Sequence, residues 1–327
     1  MTTVEQLLDR VRSSHGVLGF GGGPVGNLAV AIDDEQAGRT LRRAWDRGIR
    51  YFDTAPHYGL GLSERRIGAE LRHHPRDEFV ISTKVGRLLV PRERPAALDD
   101  EGFVVPGDLE RRWDFSAEGV ERSLRESLDR LQLGSVDILF AHDPDQAWDG
   151  AAREGLAALA RLKEAGLVSA IGIGTNSTAG LASVIREGLV DVIMMANRYS
   201  LLNQEALETV LEPARENGVA VIAAGVFATG LLSTAQPHHG ATYEYRPAGT
   251  AVVRRARRIA AICADHGVPL PAAALAFPRR HPAVAAVAVG MRSPAEVDED
   301  CRYLSADIPA GLWPDLVSAG FIPAGAV

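Results

Sequence analysis

The sequence predicts one domain spanning residues 1–327 and folded as a (β/α)8 barrel. Eight short apolar runs alternate with eight amphipathic stretches of helical period along the whole chain. This alternation indicates parallel strands connected by helices, and eight such pairs close a barrel. Polar side chains follow several of the apolar runs, at the strand ends where barrels of this kind carry their active sites. We therefore expect a single barrel with a polar site at one end.

The elements can be placed in chain order. Strands are expected near residues 16–20, 49–53, 79–85, 136–141, 168–174, 191–195, 219–224 and 284–289. Helices are expected near residues 34–48, 63–73, 117–131, 150–165, 178–188, 204–217, 251–266 and 294–303. Candidate residues at or next to helix N-caps are Asp34, Ser63, Ser116, Ser177 and Asn203. Glycines that follow helix ends are Gly48, Gly166, Gly188, Gly218 and Gly267.

An open, doubly wound sheet is the alternative fold, and one motif favours it. Residues 21–26, GGGPVG, match the G-x-G-x-x-G pattern of a dinucleotide-binding loop. The context does not fit, because Pro24 interrupts the pattern and residues 27–33 separate it from the first clear helix. We interpret these glycines as a loop whose backbone comes close to another segment at the barrel mouth.

Two connections are unusually long, and both are expected to leave the C-terminal face of the barrel. They are residues 86–115 after the third strand and residues 225–250 after the seventh. Long loops in compact domains are usually functional. The first carries Phe103, Trp113 and Phe115, and the second carries Phe227, His238, His239, Tyr243 and Tyr245. Of these, Trp113, the histidines and the tyrosines are candidate substrate contacts.

Composition gives no indication of a nucleic-acid or membrane partner. The net charge of −7 comes from mixed acidic and basic residues without a long single-sign run. Residues 1–5 do not show the pattern expected at the start of a signal peptide, and no apolar run reaches membrane-spanning length. Cys263 and Cys301 form no CxxC pair and are expected to be reduced packing residues of a cytoplasmic protein.

Lysine is almost absent from the chain. Lys84 and Lys163 are the only lysines among 35 basic residues. A lysine ammonium is compact and its pKa can shift, whereas arginine stays charged. Lys163 lies in the last turn of a predicted helix, where the helix dipole favours a cation. Lys84 ends the predicted third strand without such a structural reason, so it is a candidate functional residue.

Four titratable side chains of different types lie at successive predicted strand ends. Asp53 ends the second strand and Tyr58 follows five residues later, Lys84 ends the third strand, and His142 follows the fourth. Each residue alone could be structural, but their convergence favours a site. A nearby ammonium favours a phenolate, a carboxylate holds the ammonium, and an imidazole can hold a reacting oxygen. Such a set can move a proton on or off an alcohol or carbonyl oxygen. It has no electron sink of its own, so a cofactor that carries a hydride is required.

Other catalytic classes are less well supported by the residues. Lys84 could form a Schiff base, as in a class I aldolase, although Asp53 opposes the neutral amine that this chemistry needs. No metal site is predicted, because the pairs His73-His74 and His238-His239 lack ligand spacing. No G-x-S-x-G elbow indicates a serine nucleophile.

These residues lie in segments that together resemble the aldo-keto reductase superfamily. The segments are FDTAPHYG, ISTKVG, AHDPD, IGIGTN and VAVGMRSPAEVDED, in order over nearly the whole chain. The resemblance implies Asp53, Tyr58, Lys84 and His142 as a catalytic tetrad, with Tyr58 as the general acid/base. It also implies NAD or NADP bound across the C-terminal face without a Rossmann fold.

Further segments narrow the resemblance: HYGLGLSERRIG, VGRLLVP, GVFATGLLS and YEYRPAG. They resemble the branch that includes L-fucose dehydrogenase, D-threo-aldose 1-dehydrogenase and pyridoxal 4-dehydrogenase. For an aldose, the implied reaction moves a hydride from C1 to the nicotinamide and leaves a lactone, while Tyr58 accepts the hydroxyl proton. A pyridoxal-like or other small aldehyde substrate, general carbonyl reduction, and a non-catalytic cofactor-binding regulatory subunit remain open alternatives.

The resemblance also implies residues that bind the cofactor. Asn176 matches the amide that holds the nicotinamide carboxamide, Asn197 stands where many relatives have Gln, and Phe227 could replace an aromatic that is missing at Ala224-Gly225. The implied contacts in the C-terminal motif are Gly290, Arg292, Ser293, Glu296 and Asp300. An Arg at 292 would favour the 2′-phosphate of NADP. Because the carboxylates at 296 and 300 would oppose that phosphate, the choice between NAD and NADP stays open.

Overall fold

Eight parallel strands form a closed barrel in the computed structural model, which describes residues 6–7, 9–10 and 17–326. The strands are β1 (Leu18–Gly21), β2 (Tyr51–Asp53), β3 (Val80–Val85), β4 (Arg87–Ala96), β5 (Gly107–Trp113), β6 (Ile138–His142), β7 (Ala170–Thr175), β8 (Val192–Ala196), β9 (Ala220–Ala224), β10 (Thr242–Tyr243), β11 (Arg246–Pro247) and β12 (Val284–Gly290). Around the barrel the order is β1, β2, β3, β6, β7, β8, β9 and β12, which closes on β1. The predicted (β/α)8 barrel is confirmed, and the doubly wound alternative is wrong.

The barrel strands lie where the sequence predicts them. Residue 16, the expected start of the first strand, lies outside the described residues. The same holds for residues 1–5, which were considered for a signal peptide. Residues 8, 11–15 and 327, which belong to the predicted domain of residues 1–327, also lie outside the described residues.

Helices cover the outside of the barrel. They are α1 (Asp34–Asp46), α2 (Leu62–Leu71), α3 (Ala117–Leu131), α4 (Ala151–Glu164), α5 (Thr178–Arg186), α6 (Glu212–Glu216), α7 (Thr250–Asp265), α8 (Leu270–Ala276), α9 (Pro294–Leu304) and α10 (Leu312–Ser318). A π-helical turn, Leu207–Leu211, leads directly into α6. The helices α8 and α10 were not predicted, because seven residues each are too few to show a helical period.

The helix ends follow part of the predicted capping: two of the five candidates are N-caps. Ser116 and Ser177 cap α3 and α5 through their side-chain oxygens, as predicted. The cap of α1 is Asp33, one residue before the expected Asp34. Ser63 is not a cap, because it lies inside α2 and its hydroxyl bonds to the segments after β1 and β2. The five glycines predicted to follow helix ends all have positive φ, as C′ residues do.

Large and small side chains together fill the barrel interior. Tyr51, Phe140 and Met194 contribute the bulk, and alanines from β7, β9 and β12 fill the remaining space. Gly19 of β1 is required there, because a Cβ at this position would lie 2.4 Å from Cδ1 of Tyr51. The interior is therefore packed, so a site for a substrate must lie at an end of the barrel.

The long connection after β3 is a β-hairpin. The strands β4 and β5 pair antiparallel between Arg87 and Trp113. Phe103 and Leu89 form a small separate core with Leu60 of the segment after β2. A bridge also pairs Phe103 with Leu28 after β1. The hairpin is thus packed against two other loops of the C-terminal face.

The second long connection carries a smaller hairpin, β10–β11. Its two turn residues, Glu244 and Tyr245, have φ of 50 and 62, as in the two-residue turns that join antiparallel strands. The Glu244 carboxylate pairs with Arg198 after β8, with Nη1 to Oε1 at 2.6 Å. This contact ties the tip of the hairpin to the mouth of the barrel.

The glycine-rich loop after β1 packs on the segment that carries Tyr58, which confirms its predicted role. The Gly22 N–H donates to the Asp53 carbonyl at 2.8 Å. A Cβ on Gly26 would lie 2.8 Å from the Tyr58 carbonyl carbon, and a Cβ on Gly59 would lie 2.1 Å from the Gly26 oxygen. A side chain at either glycine would push the two segments apart.

The apolar helices and the two cysteines were both considered in the sequence. In the described part of the chain, no single helix is long and apolar enough to cross a membrane. One pair, Thr250–Asp265 with Leu270–Arg280, passes on length and composition but is bent by 95°. Cys263 and Cys301 are both free and buried, as predicted for packing residues.

Candidate active site

Three of the predicted residues form one hydrogen-bonded group at the C-terminal ends of β2 and β3. Lys84 Nζ lies 2.7 Å from Asp53 Oδ2 and 3.0 Å from the Tyr58 hydroxyl oxygen. It also donates to the Thr54 carbonyl oxygen at 2.9 Å. All three ammonium protons have partners, so Lys84 is poorly suited to act as the amine nucleophile of a Schiff base.

Strand register places the carboxylate and the ammonium side by side. Asp53 ends β2 opposite Ser82 of β3, and the Ser82 hydroxyl donates to Asp53 Oδ1 at 2.7 Å. Lys84 lies two residues beyond Ser82 and therefore on the same face of β3. The lysine stem passes Gly174 of β7, where a Cβ would lie in ordinary van der Waals contact, at 3.6 Å from Lys84 Cε.

Lys84 remains an ammonium although its side chain is buried. Burial alone lowers the pKa of Lys84, but the Asp53 charge, the Tyr58 phenol and hydrogen bonds to both outweigh burial and raise it. Burial raises the pKa of Tyr58 to about 12, while Lys84 lowers it and Asp53 raises it further. The ammonium favours the phenolate as expected, yet burial has the larger effect. The resting phenol is therefore protonated at neutral pH.

His142 faces Tyr58 as a neutral imidazole. Their ring centroids are 5.8 Å apart and the rings are nearly perpendicular, at 87°. Burial, followed by the positive charges of Arg87 and Lys84, holds the pKa of His142 well below its usual value. Its Nε2 is 3.6 Å from Asp143 Oδ2, too far for a hydrogen bond. That nitrogen can therefore serve a substrate oxygen.

His57 and Phe103 form a second layer that the sequence did not predict as part of the site. The His57 ring lies edge-on to Phe103, at 5.1 Å, and to His142, at 5.4 Å. Burial, followed by Arg87 and Arg111, lowers the pKa of His57 to about 2. His57 stands in the FDTAPHYG segment, which was the available signal. Phe103 reaches the site only through the path of the β4–β5 hairpin.

Arg87, also missed, joins the hairpin to the strand end that carries the catalytic candidate His142. Arg87 Nη2 donates to Asp143 Oδ2 at 2.6 Å, and Nη1 donates to Glu101 Oε2 at 3.2 Å. The guanidinium carbon lies 4.4 Å from the centre of the Trp113 ring. Asp143 follows His142 directly and has φ 44, in the left-handed region that favours glycine.

Asn197 is the predicted nicotinamide contact that the geometry supports best. Its side chain is buried, and its Oδ1 has no hydrogen-bond partner in the described structure. A Cβ on Gly225 would lie 2.2 Å from that oxygen. A carboxamide N–H would satisfy the buried acceptor, so the site fits a nicotinamide. Asn176 is exposed, and Phe227 packs partly buried against the main core.

The C-terminal candidates lie together where β12 leads into α9. Gly290 ends β12 beside β1. Ser293 caps α9 by accepting the Glu296 N–H at 3.2 Å, and Glu296 Oε2 accepts the Arg292 N–H at 2.8 Å. The other Glu296 oxygen is 3.9 Å from Arg292 Nε. Asp300 is buried one turn further along the helix, where burial, followed by Glu296, raises its pKa to about 7.

The chain matches the Aldo/keto reductase family over residues 17–318. It is 47% identical to a D-threo-aldose 1-dehydrogenase from a Pseudomonas species, with 94% of each chain covered. A pyridoxal 4-dehydrogenase from Microbacterium luteolum is 34% identical, with 97% of this chain and 98% of the relative covered. An L-galactose dehydrogenase from Arabidopsis thaliana is 32% identical, with 92% of this chain and 88% of the relative covered.

Two solved structures share the barrel. A glycerol dehydrogenase from Gluconobacter oxydans superposes with a TM-score of 0.75 at 20% identity, covering 94% of this chain and 93% of the other. The holo form of an aldo-keto reductase from Bacillus halodurans gives a TM-score of 0.69 at 24% identity. The superposition covers 93% of this chain and 91% of the other. At these identities the likeness concerns the fold alone.

Proposed function

The chain belongs to the aldo/keto reductase family and is an oxidoreductase that uses a nicotinamide coenzyme, and from this premise we propose that it oxidises C1 of an aldose to the lactone. One observation carries the proposal: the Tyr58 hydroxyl oxygen lies 3.0 Å from the Lys84 ammonium. The relatives named D-threo-aldose 1-dehydrogenase and L-galactose dehydrogenase support an aldose as the substrate class. We also propose that all of residues 1–327 belong to the one barrel domain.

Tyr58 is proposed to take the proton from the C1 hydroxyl. When bound, the nicotinamide supplies the acceptor for the hydride that leaves C1. Lys84 stabilises the phenolate of Tyr58, and Asp53 keeps Lys84 charged and in position. In the reverse direction the Tyr58 phenol donates its proton to a carbonyl oxygen, so the same group serves as acid or base.

His142 is proposed to hold the reacting oxygen beside Tyr58. A neutral imidazole can donate one N–H to that oxygen without adding a positive charge. Asn197 is proposed to bind the nicotinamide carboxamide through its unpaired oxygen. Asn176 and Phe227 remain proposed contacts of the same half of the coenzyme.

We propose NAD as the preferred coenzyme, bound at its adenosine end by Gly290, Arg292, Ser293, Glu296 and Asp300. The Glu296 carboxylate already accepts the Arg292 N–H and faces its guanidinium. A 2′-phosphate would compete with Glu296 for Arg292, since both are anions that need the same cation. The unphosphorylated ribose of NAD meets no such repulsion.

A substrate panel tests the proposed function. Reduction of NAD and NADP is followed with L-fucose, D-arabinose, L-galactose and pyridoxal, and the product is identified as lactone or acid. We expect aldose oxidation to the lactone. Turnover of pyridoxal without any aldose would make the chain a pyridoxal dehydrogenase, and reduction of simple aldehydes alone would make it a general carbonyl reductase.

The two remaining rivals are not favoured. Schiff-base chemistry requires a free amine, whereas Lys84 Nζ donates to three oxygens. Borohydride treatment with substrate should therefore leave Lys84 unmodified. The regulatory-subunit reading predicts coenzyme binding without turnover on the whole panel.

A further inference from the structure

The carboxylate of Asp143 is the least explained feature near the proposed catalytic residues. Asp143 Oδ2 binds Arg87, while Oδ1 makes no hydrogen bond within the described chain. The side chain is only 20% exposed. Its backbone lies in the left-handed region, at φ 44, which few residues other than glycine, asparagine and aspartate adopt.

The guanidinium of Arg87 fixes this carboxylate in one place. Arg87 has a side chain that is 7% exposed, and it contacts Glu101 and the Trp113 ring as well as Asp143. Because Arg87 lies two residues after β3 and Asp143 directly follows β6, the pair spans the ends of two neighbouring barrel strands. A carboxylate held by a buried arginine is preorganised to accept a further hydrogen bond.

The position of Asp143 relative to the reacting oxygen limits what it can bind. Its Oδ2 lies 3.6 Å from His142 Nε2, the atom proposed to hold the oxygen on the reacting carbon. The two oxygens of a vicinal diol are separated by about one hydrogen-bond length. An oxygen on the neighbouring carbon can therefore reach Asp143 while the first oxygen stays on His142.

We propose that Asp143, held by Arg87, accepts a hydrogen bond from the hydroxyl on the carbon next to the reacting carbon, and so selects α-hydroxylated substrates. The inference rests on the proposed aldose oxidation and names a further residue for its substrate. His57 and Phe103 line the adjacent side of the site and give the sugar ring a partly apolar wall. Asp143 is thus a specificity-determining residue, distinct from the proton-transfer group.

The test uses two pentoses that differ only in the C2 hydroxyl, D-arabinose and 2-deoxy-D-ribose. The measured quantity is the ratio of their kcat/KM values. Wild-type protein is expected to favour D-arabinose by about tenfold or more, the range of one hydrogen bond to a charged group. Asp143→Asn should lower the ratio several-fold, because a neutral amide oxygen is a weaker acceptor than a carboxylate. Asparagine tolerates the left-handed conformation, so the backbone is retained.

Asp145→Asn is the matched control. Asp145 lies on the same turn, is exposed, and accepts a hydrogen bond from the Thr175 hydroxyl at 2.5 Å. The control should keep the wild-type ratio. If Asp143→Asn lowers kcat/KM for both pentoses and leaves their ratio unchanged, Asp143 only supports the fold, and the inference is wrong. If the wild-type protein oxidises no aldose, the proposed function fails first and this inference with it.

Discussion

Lys84 and Asp53 form an ion pair, with Nζ 2.7 Å from Oδ2, whose side chains are 2% and 3% exposed. A buried pair of this kind is stable only while both members are present, because either charge alone would be desolvated without compensation. The same contact that prepares Tyr58 for proton transfer is therefore also part of the barrel core.

Lys84→Met should destabilise the protein by about 3–5 kcal/mol, because it leaves the Asp53 carboxylate buried and unpaired. Urea unfolding measures the change. The double variant Asp53→Asn/Lys84→Met should recover most of the stability but no turnover. Lys163→Met is the control, since that lysine pairs with Asp191 in a more exposed position, and its effect should be smaller. Equal losses from both lysine variants would contradict the expectation.

Tyr58→Phe should lower kcat by about 10²–10⁴-fold, the usual contribution of a positioned acid or base. The variant keeps the ring, so binding of the reduced coenzyme, measured by fluorescence titration, should be unchanged. Tyr243→Phe removes a phenol from the outer hairpin and should turn over as the wild type does. Near-normal turnover of Tyr58→Phe would overturn the proposed tetrad.

Oxidation should accelerate with rising pH. Tyr58 must be a phenolate to accept a proton, and its pKa of about 12 leaves it protonated at neutrality. The phenolate fraction rises tenfold for each pH unit below the pKa. The logarithm of kcat/KM for aldose oxidation should therefore rise with a slope of about one between about pH 7 and 9. A plateau that begins near neutrality would show that another group is titrating.

Asp300 should make the protein less stable as pH rises. Its folded pKa of about 7 lies above the ordinary value of 3.8, so the folded chain holds a proton that the unfolded chain has released. Stability should fall between about pH 4 and 7, by up to about 4 kcal/mol. In urea unfolding, Asp300→Asn should lack this fall in stability with pH, and Asp307→Asn, an exposed control, should retain it. If Asp300→Asn shows the same fall in stability, another group causes it.

Glu296→Gln should shift coenzyme preference towards NADP. The substitution removes the carboxylate that faces the Arg292 guanidinium, so the cation becomes available to a 2′-phosphate. Fluorescence titration with NADH and NADPH should show tighter NADPH binding relative to NADH. Glu299→Gln removes an exposed charge from the same helix and should change the ratio less. If Glu296→Gln leaves the ratio of NADPH to NADH affinity unchanged, the 2′-position of the adenosine ribose does not bind next to Arg292 and Glu296.

The sequence was sufficient for the barrel and for the group around Lys84, because both depend on local pattern. Each strand appears as an apolar run, and parallel strands bring residues such as Asp53 and Lys84 to the same end. Arg87 and Asp143 could not be paired from the sequence, since their contact depends on the path of the β4–β5 hairpin. The raised pKa of Tyr58 was missed for a related reason, because burial is set by distant segments such as the one carrying Phe103.

Because the chain has only two lysines, the reactivity of each amine can be followed separately. Lys163 has a side chain that is 35% exposed, whereas the side chain of Lys84 is 2% exposed and its pKa is raised. An amine-reactive reagent should therefore modify the side chain of Lys163 and spare Lys84 while the barrel is intact. Mass spectrometry of the two peptides then reports opening of the catalytic end directly, since any acylation of Lys84 requires its contact with Asp53 to break.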